Sequence, residues 1–306
     1  MAIMHSLYRE AGNVEIDERT CTQCGQCAGI CPAEVLAMED GRLRVRDDSP
    51  FGCIACGHCM MVCPENSIKV TGRGISPEDL LPLPPPEERA TADALAALMR
   101  ARRSVRRFTD REVEADVLDR IVKTASSGPM GIPPWDVGCL IVRGRGRVQQ
   151  LADEIVKGYE KFLRFFKPWV LTLFRLFMRK ANWEQFKHFI IPLGEMYVGS
   201  RREGRDVLFY DAPAVLIFHH SPYADHVDVT IACVYAMLAA ESLGLGNTII
   251  GGAAPVLQRN RALCKRLGIP EGNTPGIALI VGYPASKFRR AIKRSFTDVH
   301  VEAGSS

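Results

Sequence analysis

Eight of the eleven cysteines stand in two short repeats that could bind metal. Each repeat reads Cys-x-x-Cys-x-x-Cys-x-x-x-Cys-Pro, and the repeats start 32 residues apart, at Cys21 and Cys53. Closely spaced thiolates are ligands for zinc and for iron–sulfur clusters. A structural zinc site uses two pairs of ligands separated by a longer loop, which leaves the third cysteine and the Cys-Pro ending without a purpose. The spacing therefore favours iron–sulfur clusters over zinc.

The repeats closely resemble the two-cluster ferredoxins of bacteria. In that pattern three cysteines of one repeat bind a 4Fe-4S cluster, while the fourth lies too far along the chain to close it and binds the other cluster. The resemblance implies two crossed ligand sets. They are Cys21, Cys24, Cys27 and Cys63 for one cluster, and Cys53, Cys56, Cys59 and Cys31 for the other. Such clusters carry single electrons, so any chemistry on an organic substrate must come from the rest of the chain.

A second candidate site is the basic segment "RRSVRRF", which runs from Arg102 to Phe108. Guanidinium groups bind phosphate oxygens with two hydrogen bonds, and a serine hydroxyl adds a neutral partner. A basic segment after a helix is also common as a solvated surface. Taken alone, the segment leaves both interpretations open.

Four segments, in order, make the chain from about residue 91 to 306 resemble the nitroreductase family of FMN flavoproteins. They are "RRSVRRF", "ASSGPMGIPPW" from Ala125, "GLGNTIIGGAAP" from Gly244, and "VGYPASKFRRAIKRSF" from Val281. The resemblance implies FMN as cofactor and an α+β sandwich, in which helices flank a central mixed sheet. It also implies an intertwined homodimer with FMN at the interface.

The same resemblance implies which residues contact FMN. The phosphate and ribityl chain would be held by Arg102, Arg103, Ser104, Arg106 and Arg294. Ser126 and Ser127 would lie beside the flavin, and the backbone of Ile249, Ile250, Gly251 and Gly252 would follow one edge of its ring. The chain departs from many members between Gly128 and Trp135, where it lacks their polar Asn and Gln. No catalytic acid or base is singled out.

The elements that must position these residues can be outlined from composition. We predict a ferredoxin-like domain over 1–75, a linker over 76–90 with five prolines, and an FMN-binding domain over 91–306. A helix should follow a cap at Thr91 or Asp93, with Leu95, Leu98 and Met99 facing the core. Apolar runs predict buried strands at 137–142, 214–219, 248–252 and 277–282.

A helical insert is predicted over 156–200. Leu163, Phe166, Val170, Leu173 and Phe177 fall at helical spacing, which indicates a lid over the flavin or a helix at a dimer interface. Charged residues within the run argue against a membrane span, and membrane-surface contact through 162–178 is the less favoured alternative. Tyr159 and Tyr197 carry hydroxyls that could donate to a substrate.

Charge and targeting signals narrow the function further. Lys and Arg exceed Asp and Glu by only 39 − 35 = 4, which gives no argument for nucleic acid as a partner. The N-terminal residues lack the pattern of an export signal, so we expect a cytoplasmic protein with reduced cysteines. The chain has no complete glycine-rich dinucleotide fingerprint, and NAD(P)H would instead stack on FMN, as the family resemblance implies.

These features predict an iron–sulfur flavoprotein oxidoreductase. Its clusters would pass electrons to or from FMN, which would reduce a nitroaromatic, a quinone or an activated alkene. An external ferredoxin or another electron-transfer protein could be its partner. The alternatives are electron transfer from NAD(P)H to a ferredoxin, and an electron carrier or redox sensor that turns over no small molecule. Flavin-fragmenting and dehalogenating relatives share the FMN motifs, so those chemistries also stay open.

Overall fold

A computed structural model describes residues 10–50, 52–131, 136–166, 175 and 178–302. Its N-terminal region contains two short helices and two antiparallel pairs of strands. In chain order the elements are β1 (Asn13–Ile16), α1 (Gln26–Ile30), β2 (Leu36–Glu39), β3 (Arg42–Val45), α2 (His58–Val62) and β4 (Ile68–Thr71). β2 pairs with β3, its neighbour in the chain, whereas β1 pairs with β4, so the first and last strands of the region are joined.

The 32-residue repeat of the cysteines is also a repeat of the backbone. Residues with positive φ recur 32 positions apart, and most such positions in proteins are glycine because a side chain is strained there. The pairs are Gln23 and Ala55, Gly25 and Gly57, Glu34 and Asn66, Asp40 and Gly72, and Gly41 and Arg73. The repeat therefore extends beyond the cysteines into the turns that follow β2 and β4.

The proline-rich segment 76–90 contains two single turns of 3-10 helix, at Pro77–Asp79 and Pro86–Glu88. Each turn has proline at its start, where the missing N–H costs nothing. Leu81 and Leu83 between the turns are more than four-fifths exposed. The segment thus combines extended chain with two short helical turns, and the domain boundaries on either side of it stay a prediction.

The rest of the chain is built on a four-stranded sheet with the order β5-β6-β8-β7. The strands are β5 (Val137–Arg143), β6 (Ala214–His220), β7 (Gly246–Ile250) and β8 (Thr274–Gly282). The three neighbouring pairs are antiparallel, and a parallel bridge between Ser104 and Asn247 makes the sheet mixed. All four predicted strands are confirmed, with boundaries that differ by up to three residues.

Helices cover both faces of this sheet. The helices described in this part of the chain are α3 (Ala92–Ala101), α4 (Ala115–Ala125), α5 (Arg145–Phe165), α6 (Lys180–Gln185), α7 (Ile191–Arg202), α8 (His226–Ser242), α9 (Ala254–Arg259) and α10 (Arg261–Arg266). Along β6, Val215 and Ile217 pack with the helices α5, α7 and α9, while Leu216 and Phe218 pack with α4 and α8. Successive strand residues face opposite sides, so this sheet is buried on both faces. That explains its continuous apolar runs.

The basic segment after α3 lies along β7. The Val105 N–H donates to the Asn247 carbonyl over 2.9 Å, and the Thr248 hydroxyl donates to the Val105 carbonyl over 2.6 Å. On its far side the segment meets the chain after β8, where the Ala285 N–H donates to the Arg107 carbonyl. The sheet therefore fixes the segment at both ends.

Helix α3 differs from the prediction in what it buries. The Thr91 hydroxyl caps it by accepting from the Ala94 N–H, as one of the two proposed caps. Leu98 is half-buried, but Leu95 and Met99 are exposed, so the expectation that all three face the core is wrong for a single chain. Helical spacing identifies an apolar face but does not say whether the same chain covers it.

Helices lie over much of the region where the insert is predicted. Helix α5 begins at Arg145, eleven residues before the predicted start, and α6 and α7 are joined by a π-helical turn at Phe186–Ile190. Val170, Leu173 and Phe177 lie outside the described residues. Among the helices that are described, none combines the length and the apolar character needed to span a bilayer.

We predict that Gly246→Ala lowers the free energy of unfolding by about 1–3 kcal/mol, because the added methyl overpacks the site. Its Cβ would lie 2.6 Å from a Cγ of Val105, a buried residue of the basic segment. Gly199→Ala in α7 is the control, since nothing lies within 4 Å of a Cβ there. Thermal unfolding of both variants tests this, and equal midpoints would contradict the close packing of the segment on β7.

Candidate functional site

The eight repeat cysteines line two separate cavities. One cavity is lined by Cys21, Cys24, Cys27 and Cys63. The other is lined by Cys31, Cys53, Cys56 and Cys59. Each cavity therefore collects three thiols from one repeat and the last thiol of the other, which is the crossed arrangement that the ferredoxin resemblance implies. A set of four thiols around one cavity suits a 4Fe-4S cluster.

Local backbone conformation brings each set together. Gly25 and Gly57 have positive φ and start α1 and α2, so the chain reverses between the second and third cysteines. Both helices last five residues and end at Cys31 and Cys63, where the backbone becomes extended before proline. Because α1 and α2 pack against each other, the last cysteine of each helix reaches the other repeat's cavity.

Burial is the main cause of the raised pKa values among the repeat cysteines. It raises the pKa of Cys27, Cys53 and Cys59, and that of Cys59 to about 12. Charges on other thiols of the same set raise these pKa values further. Iron binds thiolates, so assembly of a cluster in either cavity must displace protons from the cysteines.

The two cavities differ in their electrostatic surroundings. Cys24 of the first set is exposed. Beside the second set lies Arg73, which is only 4% exposed and donates to the carbonyls of Glu10 and Ile54. Its charge acts to lower the pKa of Cys53, against the larger effect of burial. The first set is therefore the more accessible, and the second lies beside a buried positive charge.

A basic cluster forms where the "RRSVRRF" segment meets the C-terminal tail. Burial lowers the pKa of Arg102; the positive charges of Arg103 and Arg294 lower it further, and Glu241 opposes them. Three guanidinium groups against one carboxylate leave an excess of 3 − 1 = 2 positive charges. A phosphate monoester carries about −1.5 to −2. The charge of this cluster thus fits the phosphate group of FMN.

Glu241 is a member of this cluster that our sequence analysis missed. Burial raises its pKa, and Arg102 opposes that shift. The buried Asn247 side chain donates to the Met237 carbonyl over 3.2 Å and reaches a Glu241 oxygen at 3.5 Å. The only sequence signal was an acidic residue at the end of an apolar helix, just before the "GLGNT" turn.

Arg106 lies against a loop that a buried carboxylate organises. Its guanidinium sits 5.6 Å from the centre of the Tyr210 ring, within the range of a cation–π contact. Tyr210 has a φ of 55°, which is unusual for a side chain of its size. The loop is held by Asp206, whose carboxylate accepts from three backbone N–H groups at 2.9–3.2 Å.

Ser126 and Ser127 end helix α4 and are exposed. Their hydroxyls donate to the carbonyls of Lys123 and Thr124, over 2.8 and 2.7 Å. The following loop is anchored on α8, where Asp228 accepts from the Gly131 N–H over 2.9 Å. Within the described part of the chain, no contact joins either serine to the arginine cluster. Residues 132–135, part of the departure from the family pattern, lie outside that part.

The segment expected at the flavin edge continues from β7. Ile250 is buried in the core and Ile249 is half-buried, whereas Gly251 is exposed and has open space where a Cβ would lie. Ser104 pairs with Asn247, only two residues before Ile249. The structure thus brings the basic segment and the glycine pair to the same strand.

The chain is similar in sequence and in fold to known proteins. Residues 99–283 match the nitroreductase family, and residues 13–64 match the 4Fe-4S dicluster domain. The chain belongs to the nitroreductase family. A crystal structure of a nitroreductase with bound FMN from Bacteroides fragilis has the same fold, with a TM-score of 0.50 and 20% identity over 68% of this chain and 98% of that one.

Two curated relatives support the same assignment. A Methanothermobacter thermautotrophicus protein described as an NADH dehydrogenase/NAD(P)H nitroreductase is 25% identical, over 63% of this chain and 78% of its own length. A Bacillus subtilis FMN reductase [NAD(P)H] is 27% identical, over 60% of this chain and 64% of its own length. This nitroreductase-family chain is an FMN-dependent oxidoreductase with a 4Fe-4S domain, as the sequence predicted.

We predict that cysteine variants group by cavity and not by repeat. Cys63→Ser and Cys27→Ser should damage the same cluster and leave the same residual EPR signal in the reduced protein. Cys59→Ser and Cys31→Ser should leave the other signal. Iron analysis and EPR of the four variants test this, with Cys139→Ser on β5 as the control that keeps full iron content. A Cys63→Ser signal like that of Cys59→Ser would contradict the crossed sets.

Proposed function

We propose that this protein is an iron–sulfur flavoprotein reductase in which two 4Fe-4S clusters exchange electrons with FMN. The FMN site would serve the two-electron reduction of an electron-poor organic compound, such as a nitroaromatic, a quinone or an activated alkene. The observation that carries the proposal is that one chain holds two four-thiol cavities and, on its nitroreductase fold, a basic segment paired with the strand that leads into the glycine pair.

The cofactors supply the electron chemistry, and the residues of the chain bind and orient them. Clusters exchange electrons one at a time, whereas FMN can also deliver a pair as hydride. Arg102, Arg103 and Arg294 would neutralise the FMN phosphate, and Glu241 would keep Arg102 in place. The backbone of Gly251 and Gly252 would lie along the ring, where a fixed N–H or C=O tunes the flavin.

A homodimer is part of this proposal. Leu95 and Met99 on α3 leave an apolar face exposed, and Phe288, Ile292 and Phe296 on the tail after β8 are 61–87% exposed. Large exposed apolar surfaces usually mark sites of association. Arg294 lies on the same tail, so a second copy that covers the tail would also enclose the basic cluster. The tail therefore links dimerisation to FMN binding.

The direction of electron flow defines a second candidate. The names of both curated relatives include NAD(P)H. If NAD(P)H reduces FMN here as well, the clusters would deliver electrons to an external ferredoxin or a similar protein. The exposed Cys24 makes the first cavity the more accessible point of exchange with such a partner. In either direction the same residues hold the same cofactors.

We predict that Arg294→Gln weakens FMN binding by about 10- to 100-fold, because a charge-assisted contact to phosphate is worth about 1.5–3 kcal/mol. Arg289→Gln is the matched control, since it removes the same charge from the same exposed tail, and Arg289 is not among the charges that shift the pKa of Arg102. The affinity of both variants for FMN is measured by the quenching of FMN fluorescence on titration with protein from which FMN has been removed. Equal loss in the two variants would mean that only the overall charge of the tail matters.

We predict that the clusters carry electrons to the flavin and are not needed for FMN to bind. Cys24→Ala and Cys56→Ala should stop reduction of the flavin by a reduced ferredoxin while FMN stays bound. Anaerobic titration followed by absorbance, with reduced ferredoxin, NADH and NADPH added separately, distinguishes the entry points. Bleaching of the flavin by nicotinamide before the clusters would favour the second direction. Failure of nitro, quinone and enone compounds to reoxidise the reduced protein would favour a carrier or sensor.

A further inference from the structure

The helical insert reaches the glycine pair through two buried tyrosines. Tyr159 on α5 and Tyr197 on α7 are 6% and 8% exposed. The Tyr159 hydroxyl donates to the Gly252 carbonyl over 2.8 Å, across 93 positions of sequence. Burial raises the pKa of both phenols, so both hydroxyls keep their protons at neutral pH. The sequence had suggested that Tyr159 could donate to a substrate. Its hydroxyl proton is instead used in the bond to Gly252, which holds the segment expected at the flavin edge.

Tyr197 explains why position 252 is glycine. A Cβ at Gly252 would lie 2.6 Å from the Tyr197 hydroxyl oxygen and 3.0 Å from the ring. The φ of Gly252 is not in the region that requires glycine, so space and not backbone conformation restricts this position. The Tyr197 ring also meets the Tyr159 ring edge to face, with centroids 5.2 Å apart. The two rings and Gly252 thus form one packed unit.

Two further glycines tighten the same contact. A Cβ at Gly158 would lie 2.4 Å from Val256 on α9, the helix that follows the glycine pair. A Cβ at Gly194 on α7 would lie 3.2 Å from the Tyr159 ring. Glycine lets neighbouring backbones approach closely. The insert is therefore packed onto both the glycine pair and α9, and a shift of α5 or α7 would move the Gly252 carbonyl.

We propose that Tyr159 is a positioning residue for the flavin, supported by the Tyr197 ring: through Gly252 it fixes the backbone that lies along the isoalloxazine edge and so sets the potential of bound FMN. This inference rests on the proposed function, since it takes the FMN ring to lie at residues 249–252. The physical reason is that a fixed backbone dipole next to the flavin tunes its electronics, and a dipole that can reorient does not. A buried carbonyl left without its donor is destabilised, which favours a backbone conformation that pairs it again.

The test uses Tyr159→Phe, which keeps the ring and removes only the donor. Tyr197→Phe is the matched control, because no hydrogen bond to the Tyr197 hydroxyl is found among the described residues. The midpoint potential and the visible spectrum of the bound flavin are measured in the intact protein with FMN in excess, so that weaker binding cannot hide the effect. Tyr159→Phe should shift both and weaken FMN binding about tenfold, whereas Tyr197→Phe should match the wild type.

A role in stability alone would give a different result. Tyr159→Phe would then lower the thermal midpoint but leave the potential and spectrum of the bound flavin unchanged, and the inference would be overturned while the proposed function stands. If the wild-type protein itself binds no FMN, the proposed function fails first. Gly252→Ala gives a second variant, since its methyl group must displace the Tyr197 ring. It should shift the potential as well, and an unshifted potential would also count against the inference.

Discussion

The N-terminal region depends on the exchange of one thiol between its two repeats. Each cavity takes its fourth cysteine from the other repeat, Cys63 in the first and Cys31 in the second. Neither repeat can therefore complete a four-thiol set by itself. Residues with positive φ recur 32 positions apart, so the chain turns at equivalent points of both halves. Cluster ligation would tie these halves together, which a core of this size needs.

In the nitroreductase fold, strand β7 is the element to which the other parts of the candidate site are attached. The basic segment hydrogen-bonds to its beginning at Asn247 and Thr248, and the glycine pair follows its end. The insert then packs on the glycine pair through Tyr159 and Tyr197. The basic segment, the glycine pair and the helical insert are thus all attached to a single strand of the sheet. A small shift of this strand would change all three.

The sequence predicted best what depends on local spacing or on complete burial. The spacing of the cysteines carries the ferredoxin resemblance, which implies the crossed sets, and the four strands follow from apolar runs that are buried on both faces. It failed for Leu95 and Met99, because their helical spacing does not say which chain covers them. It could not find Glu241 next to Arg102 or Tyr159 at Gly252, since these contacts join residues more than 90 positions apart. Such pairs are set by the fold as a whole.

The central claim is that electrons pass between clusters and flavin within one molecule. Flash photoreduction of the anaerobic protein, followed at the flavin and cluster absorbance bands, tests it most directly. The account predicts that the two bands exchange intensity in a first-order step whose rate does not change with protein concentration, and that the step is lost in Cys56→Ala. A rate that rises in proportion to concentration, or no exchange at all, would contradict the claim.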